Sequence, residues 1–305
     1  MAGVAPVAVP VIVVGSVNID LVAAGGRMPR PGETVSMERF AEVQGGKGGN
    51  QASAAAALGA PVHLIGAVGS DHWGEAARAD LAARGIEVGA LATVDGSTGV
   101  AIILVDDGGE NSIAIVPGAN AAVTPAAVEA ALAAIDSDDA VLVACLEIPL
   151  ESVVAAARAA AARGWRVVLN PAPARELPSE LIAAATVITP NETEAEALGG
   201  VDALLAAGAG SVVVTRGAGG TDVHAVGDSL LHVPPSRADV VDTTGAGDAF
   251  TAALAVALSR GRSLPDAVAW ASAAGAIATE GFGARGSLPT AAQVDQRLAR
   301  SRSAG

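Results

Sequence analysis

The chain has 305 residues, of which 51% are hydrophobic and only 2% aromatic, with Tyr absent, and its formal net charge is −14. An acidic chain repels nucleic acid and anionic membranes, and scarce aromatics leave no stacking platform for single strands, so no nucleic acid and no membrane are expected as partners. Nucleotides stay admissible, because backbone amides and Mg²⁺ can hold a polyphosphate without basic side chains.

Of the 18 basic residues all but Lys47 are Arg. Where Arg stands nearly everywhere else, one Lys suggests a site wanting a compact ammonium, although an Arg-favouring composition alone would also leave such a residue. Cys145 is the only cysteine. No intramolecular disulfide or cysteine-rich zinc site can form, which fits a reducing, cytoplasmic setting. The apolar stretch 5–14 lacks a basic leader and carries Pro6 and Pro10, so its end reads as a first strand rather than a signal peptide.

In chain order, strands are expected at 11–14, 62–65, 140–144, 167–169, 187–188 and 212–215. Ala-rich helices are expected at 51–58, 74–83, 125–134, 150–162, 192–198, 246–258, 264–280 and 291–300. Continuous apolar strands alternating with helices predict an α/β fold, a mostly parallel sheet covered on both faces. Two segments break the rhythm. Residues 19–43 read as extended around a Pro31-Gly32 turn, and 98–117 read as a hairpin around Asp106-Asp107-Gly108-Gly109. Together they form either a small antiparallel sheet, a candidate lid, or an antiparallel extension of the main sheet.

The motifs follow the same order. Asn18-Ile19-Asp20 leaves the carboxyl end of the first strand, where α/β sheets bind ligands, and its polar pair suits two neighbouring hydroxyls or an Asx turn. Gly46-Lys47-Gly48 is no P-loop, since neither the upstream glycine spacing nor a following Ser or Thr is present. Glu147 follows the strand at 140–144 and reads as a ligand contact or a loop carboxylate. Asn191 reads as a helix cap, and Glu194 as a residue that could order Mg²⁺-bound water. Asp242-Thr243-Thr244-Gly245-Ala246-Gly247-Asp248 follows a strand-like 239–241 and opens a helix. Free amides at that helix start make an anion hole. Asp248 beside it fits a base that takes a proton from an attacking hydroxyl; a plain N-cap is the other reading. Gly281-Phe282-Gly283-Ala284-Arg285-Gly286 matches the dinucleotide fingerprint in letters, but it follows a helix, so a Rossmann reading is rejected.

Taken together, these residues resemble the ribokinase branch of the PfkB carbohydrate kinase family, from Asn18 to Ser287. The stretches 45–50 and 242–250 resemble its two signatures; 31–35, 97–101, 118–121, 170–174 and 189–196 resemble segments between them. The resemblance implies a three-layer α/β sandwich with a small β lid built from about 18–43 and 97–118, in one kinase domain over 1–305. It implies ATP-dependent phosphorylation of D-ribose at its 5-hydroxyl, with deoxyribose, fructose or a nucleoside as sibling substrates, and a non-catalytic sugar sensor as the rival class. Asp248 would be the base, with the amides of Gly245, Ala246 and Gly247 around the phosphoryl group. Asn18, Ile19, Asp20, Gly46, Lys47, Gly48, Gly49, Asn50 and Glu147 would line the sugar pocket, where Lys47 would donate to a sugar hydroxyl or to the incoming phosphoryl. Asn191, Thr215, Arg216, Gly217, Ala218, Gly219, Gly220 and Ser272 would contact ATP. Glu194 would act on Mg²⁺ indirectly. Asp242, Thr244, Ala278, Gly281, Gly283 and Ser287 would hold a monovalent cation, K⁺. Lid edges would pair in a homodimer.

Overall fold

The computed structural model describes residues 9–303. Residues 5–8 of the apolar amino-terminal stretch lie outside the described part. The strands are β1 (Val11–Val14), β2 (Asn18–Ala24), β3 (Arg39–Gly45), β4 (Val62–Gly69), β5 (Leu91–Val94), β6 (Gly99–Val105), β7 (Asn111–Val116), β8 (Val141–Cys145), β9 (Arg166–Asn170), β10 (Val187–Ile188), β11 (Ser211–Thr215), β12 (Thr221–Ala225) and β13 (Leu231–Val233). The helices are α1 (Lys47–Ala57), α2 (His72–Ala83), α3 (Pro125–Ala133), α4 (Leu150–Ala162), α5 (Ser179–Ala184), α6 (Glu192–Ala197), α7 (Val201–Ala206), α8 (Ala246–Ser259), α9 (Leu264–Ala278) and α10 (Ala291–Ser303).

Nine strands form the main sheet in the order β13-β12-β11-β10-β9-β8-β1-β4-β5. Pairing is parallel from β11 to β5 and antiparallel at the β11-β12-β13 edge. β1 is central, and all four of its residues are fully buried. Val11 and Val13 point into one core with α1, α8 and α9; Ile12 and Val14 point into the other with α3 and α4. A strand covered on both faces must be apolar at every position, which is why it reads as a run rather than an alternation. The expected three layers are therefore present.

The two rhythm-breaking segments form a separate four-stranded sheet, β3-β2-β6-β7. It is mixed rather than antiparallel throughout: β2 runs parallel to β6, from Asn18 opposite Gly99 to Ala24 opposite Val105. Both strands leave the carboxyl end of the main sheet's parallel strands, β2 just after β1 and β6 just after β5, so they travel in the same direction. The β6–β7 turn is held by Asp106, whose carboxylate accepts the Gly108 and Glu110 amides at 2.8 and 3.0 Å.

Two further expectations differ from the structure. Helix α1 begins at Lys47, not at 51, because Gly48 and Gly49 lie in its first turn. Glycine weakens a helix by about 1 kcal/mol relative to Ala. Here close packing outweighs propensity: a Cβ on Gly48 would stand 2.5 Å from the Gly15 carbonyl carbon. The strand-like 239–241 is not a strand; the amides of Val241 and Asp242 donate to the Thr279 carbonyl at 2.8 and 3.1 Å. β-branched residues favour strands only beside a partner edge, and Val240 and Val241 are exposed instead. The short elements β5, β12, β13, α5 and α7 carry too little periodicity to be read in advance.

Candidate active site

The carboxyl end of β1 turns through Gly15 and Ser16 into β2, and α1 starts against that turn. The Gly49 amide donates to the Ser16 carbonyl at 2.8 Å. Glu147, just beyond β8, accepts the Lys47 amide at 3.1 Å and the Ser16 hydroxyl. It thus caps the positive end of α1, where a carboxylate is favoured. Asn18 is buried, and its carbonyl oxygen accepts the Asn120 amide group at 2.7 Å. Gly45 lacks a side chain for a local reason: a Cβ there would lie 2.2 Å from the Asp20 carboxylate. Asn18, Asp20, the 45–50 stretch and Glu147 are thereby gathered at one end of the sheet.

Burial pushes the Asp20 carboxyl up to about 6; the Glu147 charge adds to the rise and Arg285 opposes it. Its charged form is therefore disfavoured in the folded chain relative to the unfolded one. That penalty is complete above pH 6, fades as the pH falls through 6, and is gone below the ordinary carboxylate value of about 4. Asp20→Asn is expected to raise the melting temperature at pH 7.5 by the equivalent of about 2 kcal/mol. Thermal melts between pH 7.5 and 4 check this: the advantage should shrink toward the acid end.

Asp248 lies in the first turn of α8 and is buried. Asn50 Nδ2 donates to its Oδ2 at 3.0 Å, and Gln51 Nε2 donates to its Oδ1 at 3.0 Å. Gln51 also donates to Asn170 Oδ1 at 3.1 Å, and Asn170 donates to the Thr189 carbonyl at 3.2 Å. The carboxylate is thus fixed in orientation, while each oxygen keeps a lone pair for an incoming hydroxyl. Burial raises the Asp248 pKa, against the Lys47 charge and the Asn50 hydrogen bond that lower it. For Lys47, burial would lower the pKa, but the Asp248 and Glu147 carboxylates outweigh it and the net shift is upward. Lys47 is therefore a charged partner held beside the base.

Gly245 takes a left-handed conformation, φ 75°, immediately before α8. Of the three expected amides, that of Ala246 donates to the Thr243 carbonyl at 3.2 Å, whereas those of Gly245 and Gly247, like that of Asp248, have no backbone partner among the described residues. A Cβ on Gly247 would meet nothing within 4 Å, so the space before this helix start is open. It opens into a largely apolar cleft of about 460 Å³, reached by Thr215, Gly217, Ala218, Gly220, Gly247 and Ser272. Ser272 Oγ lies 3.2 Å from Thr221 Oγ1 in its wall. Arg216, Gly219 and Asn191 are not among the lining residues. Arg216 pairs with Asp222 at 3.0 Å and Glu192 at 3.7 Å. Asn191 caps α6 in a reciprocal arrangement: its side chain accepts the Glu194 amide and the Glu194 carboxylate accepts the Asn191 amide, each at 2.8 Å. Burial raises the Glu194 pKa, and its carboxylate feels the charges of Lys47 and Asp248.

The 281–287 loop folds back against the start of α8. Asp242 Oδ2 accepts the Gly283 amide at 2.8 Å, and its Oδ1 accepts the Thr244 amide and hydroxyl at 2.9 and 2.7 Å. Gly281 abuts Ser287, whose Cβ would be 2.6 Å from a Cβ at 281. Ala278 ends α9 beside them.

Sequence reasoning missed Gln51, Asn120, Ser16 and Arg285. Gln51 follows the 45–50 motif by one residue, and a helix started at 51 makes it an ordinary helix residue rather than part of that motif. Arg285 gave no signal, being one more Arg in an Arg-rich chain. Its side chain is 5% exposed and donates to Asn50, Gly45 and Asp80.

Residues 10–291 match the pfkB family carbohydrate kinase profile. The ribokinase of Bacillus subtilis (strain 168) is 40% identical over 292 residues, covering 94% of this chain and 99% of that one. The ribokinase of Haemophilus influenzae is 40% identical over 291 residues, covering 91% and 94%. The structure of Arabidopsis thaliana ribokinase complexed with ribose and ATP superposes with TM-score 0.86 at 31% identity, covering 95% of this chain and 99% of that one. The chain belongs to the pfkB family of carbohydrate kinases.

Proposed function

We propose that this chain transfers the γ-phosphoryl group of ATP to the 5-hydroxyl of D-ribose. One observation carries the reading: a buried carboxylate, Asp248, stands at the helix start that joins the polar Asn18–Asp20–Lys47–Glu147 cluster to the apolar cleft. The high identity to ribokinases, and the fold shared with one complexed with ribose and ATP, support the choice of sugar and nucleotide.

In the reaction Asp248 takes the proton of the attacking hydroxyl. The hydroxyl oxygen bonds to the γ-phosphorus, the bond from that phosphorus to the bridging oxygen breaks, and ADP leaves. Asn50 and Gln51 hold the base in line. The amides at the start of α8 face the charge that develops on the phosphoryl oxygens. Lys47 balances Asp248 and the sugar-side carboxylates. Asn18 and Asp20 accept from sugar hydroxyls.

Glu194 would orient waters around Mg²⁺, which when bound would neutralise polyphosphate charge. The 242–244 segment, the end of α9 and the 281–287 loop offer carboxylate, hydroxyl and carbonyl oxygens. That donor set fits K⁺, and Asp242, Thr244, Ala278, Gly281, Gly283 and Ser287 would hold it. The four-stranded sheet is read as the lid. Its outward Phe40, Ile102, Ile113 and Ile115 are 66%, 46%, 55% and 48% exposed, which favours pairing of two copies through this sheet. No helix among the described residues is long and apolar enough to cross a membrane, and a cytoplasmic location is the setting we assign. ADP release measured across a panel of sugars tests the substrate assignment.

A further inference from the structure

Arg285 sits in the 281–287 loop, yet its guanidinium reaches across to the sugar side of the site. Nε donates to Asn50 Oδ1, one terminal nitrogen donates to the Gly45 carbonyl, and the other pairs with Asp80 of α2, each at 3.0 Å. All the room for this lies at Gly49: a Cβ there would stand 2.3 Å from the guanidinium nitrogen that serves Gly45. The absence of a side chain at 49 and the presence of an arginine at 285 are thus one arrangement.

Its consequence falls on Asn50. A carboxamide has one accepting and one donating end. With Arg285 fixing Oδ1, Nδ2 must face Asp248, where it donates at 3.0 Å. A flipped amide would set its oxygen against the Asp248 carboxylate and its NH₂ against the guanidinium. Burying a guanidinium disfavours its charged form and pulls the Arg285 pKa down to about 10. A surface ion pair would tether the loop without that burial, so tethering alone does not account for the arrangement.

We propose that Arg285 is a positioning residue that orients Asn50, and through it Asp248, while fixing the Gly45 carbonyl beside Asp20, so that the 281–287 loop and the sugar pocket align as one unit. The inference rests on the kinase reading above. It does not place Arg285 on substrate or nucleotide.

The test is steady-state kinetics of ADP formation on four full-length variants: Arg285→Leu, Arg285→Gln, Gly49→Ala and the Gly49→Ala/Arg285→Gln double variant. Arg285→Leu is expected to lower kcat about ten-fold and to raise the ribose KM, with the ATP KM unchanged, because one orienting hydrogen bond is lost at the base. Gly49→Ala, which displaces the guanidinium, should give the same pattern. In the Arg285→Gln background a Cβ at 49 no longer meets a guanidinium, so adding Gly49→Ala should cost little more. That non-additivity is what contact between the two positions requires. If Arg285→Leu does not fold, Arg285→Gln and the double variant carry the test. The proposal is overturned by kcat and ribose KM values within two-fold of the parent. It is equally overturned by additive effects, or by losses that only follow the folded fraction in thermal melts. If the parent chain itself forms no ADP with any sugar, the kinase reading fails instead, and the two failures are told apart.

Discussion

Asp248→Asn is expected to lower kcat with D-ribose by about 10³-fold while ribose still binds, because general-base assistance typically contributes 10²–10⁴-fold. The substitution keeps the shape of the side chain. The new carboxamide can still accept, through its one oxygen, from one of Asn50 and Gln51, which now donate to the two carboxylate oxygens. What disappears is the ability to take a proton. The elevated pKa of Asp248, raised by burial, makes it a stronger base than an exposed Asp. It also dictates the sign of the pH dependence. The base works only when ionised, so kcat of the parent should fall as the pH drops through this raised value. In Asp248→Asn the residual rate should lose that acid limb. Stopped assays of ADP against pH, with ribose binding followed by calorimetry, separate the two effects. Near-parental turnover in Asp248→Asn would show that the proton goes elsewhere.

Gly245→Ala should be nearly as damaging for a different reason. Gly245 has φ 75°, which costs an L-residue about 1–2 kcal/mol. More decisive is the neighbour: a Cβ at 245 would lie 2.6 Å from the Ala284 Cβ and 2.7 Å from its Cα. Backbone cannot yield as a flexible side chain does. The 281–287 loop or the start of α8 must move, and the amides that face the phosphoryl group move with them. Losing one such donor lowers kcat by about 10²–10³-fold in other enzymes, and that is the magnitude expected here. Circular dichroism should remain that of a folded chain, since the contact lies at the edge of the core. A variant that keeps parental kcat would contradict the role given to this helix start.

The amino-acid pattern revealed much of this, unevenly. The central strand was legible because Val11–Val14 is apolar at every position, as burial on both faces requires. The start of α8 was legible because glycines before an apolar helix have few other uses. The start of α1 was not: four glycines around Lys47 read locally as loop, and only the Gly15–Ser16 turn packed against them makes a helix possible. The parallel pairing of β2 with β6 depends on where β1 and β5 end, which no local pattern reports. Gln51, Asn120 and Arg285 act through partners more than 100 positions away. The basic-residue count gave one partial lead. The lone Lys47 does stand in the candidate site, where the carboxylates of Asp248 and Glu147 raise its pKa against the effect of burial.

The most direct test of the central claim is ADP release by the full chain with ATP and Mg²⁺ against D-ribose, 2-deoxy-D-ribose, D-fructose and a nucleoside, each with and without K⁺. The predicted result is the highest kcat/KM with D-ribose, increased by K⁺, with D-ribose 5-phosphate as the product. A higher kcat/KM with another member of the panel would contradict the assignment of the sugar, and no ADP release with any of them would contradict the kinase reading itself.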